Sequence, residues 1–148
     1  MLENVNNDLK YCLSMINSAS KIIDYAKDYD SAQAFYDHDR QAYFNSSITL
    51  LTNIGEAINK VSMQTQEKYP DIQWSQIVAF RNRIVHEYHG INTWVVFSII
   101  RDELPALIEG TYQIINQGIS TGLFDIKELE LVKGNQFYNY VDSSRLEF

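Results

Sequence analysis

Helix breakers and cross-links are scarce in this chain. Two prolines, Pro70 and Pro105, and six glycines are spread over 148 residues. Punctuation that sparse disfavours strand-and-turn architectures and favours long helices. The single cysteine, Cys12, excludes an internal disulfide and makes a reducing, cytoplasmic setting the expectation. Its neighbours Leu9, Leu13 and Ile16 mark it as a buried hydrophobe rather than a nucleophile. No apolar run approaches the roughly 20 residues of a membrane span. The longest, Trp94 to Ile100, stops at Arg101-Asp102-Glu103. Early acids and asparagines stand where a secretory leader has a basic start and an apolar run. A soluble chain with no membrane partner is expected.

Positive charge is also short. The formal net charge is −7, which argues against broad, charge-driven binding to nucleic acid. The balance is uneven along the chain. Over residues 60–101, Lys60, Lys68, Arg81, Arg83 and Arg101 outnumber Glu67, Asp71 and Glu87, and two of the three histidines fall there. Any contact with phosphate is expected in that middle stretch.

What is present is helical periodicity in a chain long enough for one domain with its own core. From Leu2 to Tyr29, the residues Leu2, Val5, Leu9, Cys12, Ile16, Ala19, Ile23 and Ala26 form one stripe of an amphipathic helix. Asp28, Asp30 and Ser31 end it or begin the next element. From Asp37 to Glu67, a second stripe runs through Ala42, Phe44, Ile48, Leu51, Ile54, Ala57, Ile58 and Val61. Gly55 inside that pattern costs about 1 kcal/mol relative to alanine, and a glycine there lets another helix approach. Pro70 breaks the chain. A third helix is expected from Gln73 to Tyr88, ended by Gly90 in a left-handed cap. A fourth begins near Asn92-Thr93 and is kinked or divided by Pro105. After Gly118 the pattern weakens. Asp125 to Val132 reads as a short helix, and Phe137, Tyr138, Tyr140 and Val141 as a strand-like or docked segment. The fold class is all-α, an up-and-down bundle of four to five helices over residues 1–117, with an extension over 118–148.

Residues 81–89 read Arg-Asn-Arg-Ile-Val-His-Glu-Tyr-His. On a helix, Asn82, His86 and His89 share one face and Arg81 and Tyr88 another, with His86 about 140° around the axis from Arg81. Histidine changes protonation near neutral pH, and arginine offers a fixed planar fork to a phosphate. Asn82, one turn before His86, can hold the imidazole in one tautomer. The set suits RNA cleavage without a metal or other cofactor. His86 would act as general base or acid and Arg81 would stabilise the pentavalent phosphate. The plainer alternative is that Arg81 and His86 make surface pairs with Glu87 or with acids on a neighbouring helix.

The same stretch resembles the Arg-x4-His-x-Tyr motif of the HepT family of HEPN toxins. Ile54-Gly55-Glu56-Ala57, Pro70-Asp71-Ile72-Gln73-Trp74 and Asp102-Glu103-Leu104-Pro105 resemble that family's flanking elements in the same order. The resemblance covers about residues 5–115. It implies a homodimeric helical bundle whose two motifs face across a cleft, pooling two Arg81 and two His86. It implies metal-independent cleavage of RNA, with transfer RNA as a target. It also implies a partner, a nucleotidyltransferase antitoxin of the MNT type in a type VII toxin–antitoxin pair, that transfers AMP to Tyr88. An AMP group beside Arg81 would compete for the arginine fork and fill the RNA path. A non-catalytic adaptor subunit of such a nucleotidyltransferase is the alternative.

The chain departs from the family pattern at Glu87, where glycine is common. An acid there would repel RNA or raise the pKa of a nearby histidine. His89 is either a second proton donor or a surface residue. Glu56 either pairs with Lys60 one turn on or orients Arg81 from the adjacent helix. Asp37-His38-Asp39 lacks a matching His/Cys cluster for a metal, and Asp37 or Asp39 is read as a helix cap. Most of the ten tyrosines and seven phenylalanines are assigned to core or dimer contacts rather than to base stacking.

Overall fold

A computed structural model describes residues 8–87 and 90–147. All regular structure among them is helical. Five longer helices carry the bundle: α1 (Asp8–Ala26), α3 (Ala42–Lys60), α5 (Trp74–His86), α6 (Thr93–Asp102) and α7 (Leu104–Ser120). Three short ones, α2 (Ala32–Asp37), α4 (Met63–Lys68) and α8 (Ile126–Glu130), fill the connections and the tail. No helix among the described residues is long and apolar enough to cross a membrane.

Helix α1 is the centre. Its buried face, with Leu9, Cys12, Leu13, Ile16, Ala19 and Ile22, packs mainly against α3 and α7. Cys12 has no exposed surface, and burial together with the charge of Asp8 pushes its thiol well up. Helix α3 buries Ile48, Leu51, Ile54 and Ile58 and packs against both α1 and α5. Thus α5, with its motif, sits at the edge of the bundle, its inner face secured by Ile77, Phe80 and Ile84.

The second expected segment is broken more finely than its periodicity implied. Helix α2 begins at Ser31, whose hydroxyl accepts from the Ala34 amide at 3.1 Å. It is followed by a 3-10 turn, His38–Gln41, in which Asp39, Arg40 and Gln41 take positive φ values of 43°, 56° and 65°. The expected cap at Asp37 or Asp39 does not form. Asp37 instead accepts from Gln33, and the imidazole of His38 stacks on Tyr43 at 4.6 Å. At the other end, α3 stops at Lys60 and Ser62 starts α4. The buried Asp8 carboxylate accepts from the Ser62 amide (2.9 Å), the Ser62 hydroxyl (2.8 Å) and the Thr65 hydroxyl (2.6 Å). One side chain of α1 therefore fixes where α4 lies.

One expected boundary moves and another falls where it was expected. Helix α5 ends at His86, with Glu87 as its C-cap, short of the expected end at Tyr88 and Gly90. Pro105 sits in the first turn of α7, and the fourth segment divides into α6 and α7 at Glu103. Asn92 caps α6 as expected, accepting from the Trp94 and Val95 amides.

The tail docks on the bundle without a strand. Asp125 caps α8. Phe124 packs so tightly on α7 that a Cβ on Gly118 would lie 2.2 Å from its ring. The Tyr140 amide donates to Asn17 on α1 at 2.9 Å, and the Asp142 amide donates to the Tyr112 hydroxyl on α7 at 2.8 Å. Val141 and Leu146 are buried beside these bonds.

Candidate active site

The site forms where α5 crosses α3. Gly55 is the point of contact. A Cβ built there would fall 2.4 Å from the Cβ of Arg81, so only glycine permits this approach. Close packing brings the Arg81 side chain across the Gly55-Glu56 turn of α3. Its Nη2 donates to Glu56 Oε1 at 3.1 Å and its Nη1 donates to Asn82 Oδ1 at 3.0 Å. The Nε is buried and has no hydrogen-bond partner among the described residues, while the side chain as a whole is 24% exposed. A guanidinium has five N–H donors. Glu56 and Asn82 orient the group while leaving donor capacity at its outer edge.

Glu56 therefore contacts Arg81 rather than making the alternative pair expected with Lys60. Asn82 is also placed differently from the sequence expectation. Its carbonyl oxygen is turned to Arg81, not to His86. His86 is the last residue of α5 and is exposed. Among the described residues no hydrogen bond joins it to Arg81, which the 140° separation on one helix anticipates. Glu87 lies 3.9 Å from Arg83 Nε, one turn back, and does not pair with Arg81. Tyr88 and His89, singled out in the sequence, lie outside the described residues.

Beside this cluster runs a groove of about 700 Å³, bounded by the end of α3, by α4, by Pro70, Ile72 and Gln73, and by α5 as far as Asn82. The sequence reading missed it. Asn82 lines it as well as contacting Arg81. The available signal was helical spacing: Ser75, Ala79, Asn82 and His86 fall within about 60° of one another on α5.

Chemically, the arrangement offers an oriented cation, a neutral amide and an exposed imidazole along one helix. Within a single copy the cation and the imidazole do not converge.

A family model described as ribonuclease HepT-like matches residues 15–114, which include Gly55, Glu56, Arg81 and His86. A protein of Methanocaldococcus jannaschii named as a candidate RNase is 28% identical over 97 residues, covering 66% of this chain and 86% of its own. A second, from Caldanaerobacter subterraneus subsp. tengcongensis and named likewise, is 24% identical over 116 residues, covering 78% and 92%. A protein of Thermococcus cleftensis named as a candidate ribonuclease HepT is 26% identical over 69 residues, covering 47% and 62%. No solved structure matches the chain.

Proposed function

This chain belongs to the ribonuclease HepT-like family, and from that premise we propose that it cleaves RNA without a metal through Arg81 and His86. The observation that carries the reading is the held guanidinium. Arg81 is fixed by Glu56 and Asn82 against a glycine of the adjacent helix, yet keeps an exposed edge. Such a group stabilises charge that builds on a phosphate during displacement.

In the proposed reaction one His86 imidazole takes the proton of a ribose 2′-hydroxyl. The 2′-oxygen bonds to phosphorus, the bond from phosphorus to the 5′-oxygen breaks, and a protonated imidazole returns a proton to that oxygen. One copy offers one imidazole and one cation on different faces of α5. A homodimer with its two motifs opposed supplies two of each across a shared cleft. Exposed Val85, beside His86, and exposed Trp94, at the start of α6, offer apolar surface for such a contact.

The wider reading makes the protein the toxin of a type VII pair in the cytoplasm, with transfer RNA as a target. The antitoxin, an MNT-type nucleotidyltransferase, would silence it by joining AMP from a nucleoside triphosphate to the Tyr88 oxygen, with pyrophosphate leaving. The separation of Arg81 from His86 within one copy favours the adaptor alternative if the protein proves monomeric.

The test is cleavage of total RNA in the presence of a chelator. Native protein is expected to cut, and His86→Ala to be slower by about 10²–10⁴-fold. Equal decay with both proteins removes His86 from the reaction, and absence of cleavage by native protein removes the enzyme reading.

A further inference from the structure

We propose that the groove between α4 and α5 receives an unpaired nucleobase of the RNA strand, next to the phosphate that is cut. The inference rests on the ribonuclease reading and adds a specificity site to it.

Position is the first argument. Ser75, Ala79 and Asn82 line the groove and His86 continues the same stripe beyond it, so a chain lying on that face passes from groove to imidazole. Over the 11 positions from Ser75 to His86 the helix rises roughly 16 Å, with Asn82 about 6 Å before the imidazole-bearing residue. Asn82 belongs to both places, because it lines the groove and accepts from Arg81. A strand whose phosphate meets Arg81 therefore has its neighbouring nucleotide at the groove mouth.

Composition is the second. No lysine or arginine lines the groove, and Glu67 is its one charged lining residue. A phosphate is thus disfavoured there, and an uncharged ring is not. Val78, Met63 and Pro70 supply apolar surface, while Asn59, Gln73 and Asn82 supply amides that can meet the donor and acceptor edge of a base. Two other polar groups of the wall are already engaged. Gln66 Nε2 donates to the carbonyls of Ile58 and Val61, and the Trp74 indole donates to the Tyr69 carbonyl. These bonds hold the wall in place, so reading falls to the amides at the rim. A volume of about 700 Å³ is ample for one base with its sugar.

This arrangement also reconciles an acidic protein with an RNA substrate. Affinity from phosphate charge is weak here, and base recognition in a neutral groove takes its place.

The experiment compares short single-stranded RNAs that are identical except for an abasic site beside the cut. Native protein is expected to cleave the abasic strand about tenfold or more slowly. Ser75→Trp, which fills the groove away from Arg81 and His86, is expected to cleave both strands at the slower rate. Binding of the same strands to His86→Ala, with and without Ser75→Trp, gives a readout that needs no cleavage. Asn59→Ala serves as the second variant if thermal unfolding shows that Ser75→Trp does not fold. Base-dependent binding lost on filling the groove, without cleavage by native protein, upholds the groove and sinks the ribonuclease reading. Cleavage indifferent to the abasic site and to both variants sinks the groove and leaves the ribonuclease. No cleavage and no base-dependent binding sinks both. Loss of a dimer in Ser75→Trp, with binding still indifferent to the base, makes the groove a contact between copies and overturns the proposal.

Discussion

Asp8 and Arg81 are both charged side chains drawn into the protein, and they are held in opposite ways. Asp8 is 1% exposed, and its carboxylate accepts from the Ser62 amide, the Ser62 hydroxyl and the Thr65 hydroxyl. Among the described residues, Arg81 has one bond to Glu56 and one to Asn82 and buries an Nε with no partner, while a quarter of its side chain stays exposed. A buried carboxylate that accepts at both oxygens is a clamp, whose removal strands the donors around it. A guanidinium left partly unsatisfied carries a desolvation cost that an arriving anion can offset. The difference separates what holds α4 in place from what is kept ready beside it.

Arg81→Ala is the largest expected break. Cleavage should fall about 10²–10³-fold, as for loss of one oriented donor to a developing charge. Stability should change by about 1 kcal/mol, since an ion pair whose carboxylate is exposed contributes little. Asp8→Ala should reverse the pattern. Loss of the clamp is expected to cost about 2–4 kcal/mol in urea unfolding, while cleavage by the folded protein falls by no more than about tenfold, the effect of a loosened groove wall with Arg81 still in place. If Arg81→Ala unfolds the protein as far as Asp8→Ala does, the contrast fails.

Gly55→Ala tests the two properties together. The added methyl would collide with the Arg81 Cβ at 2.4 Å, and a Cβ cannot swing aside without its helix. Separating α3 from α5 should cost about 1–3 kcal/mol and lower cleavage as well. A variant with native activity would mean that the placement of Arg81 does not depend on this crossing.

Much of this contrast could be read in the sequence, and the reason lies in sequence distance. Gly55 within a helical stripe announced a close helix, and the 140° between Arg81 and His86 followed from the helical repeat. The α6–α7 division at Pro105 was equally local. Helix α2 was missed because a six-residue helix with one buried residue, Phe35, leaves no periodic trace. The positive φ values at Asp39, Arg40 and Gln41 were hidden because none of the three is glycine. The groove was invisible because its outer wall, α4, is set by Asp8 from 54 residues away. The tail lacked a pattern for the same reason, since Tyr140 is anchored to Asn17, 123 residues back.

The smallest effect concerns that tail, which is held by a third kind of charge. Asp24 on α1 pairs with Lys27 at 2.8 Å and accepts from the Tyr140 hydroxyl at 3.2 Å. The hydrogen bond from Lys27 first, then that residue's charge and the Tyr140 hydroxyl, hold the Asp24 carboxyl below its ordinary value, against a partial opposing effect of burial. A carboxyl depressed on folding adds stability that is fully present above its unfolded value and is lost as pH falls through the folded one. Asp24→Asn should therefore flatten the acid side of the stability profile below about pH 4 and leave the neutral region nearly unchanged. Because the pair is exposed to water, the change should be small and should shrink further in salt. Limited proteolysis of the tail in acid should show it before global unfolding does, with RNA cleavage at neutral pH unaffected. If the acid profiles of Asp24→Asn and the native chain coincide, Tyr140 is anchored by Asn17 and the buried Val141 alone, and the charge at Asp24 is incidental to the docking.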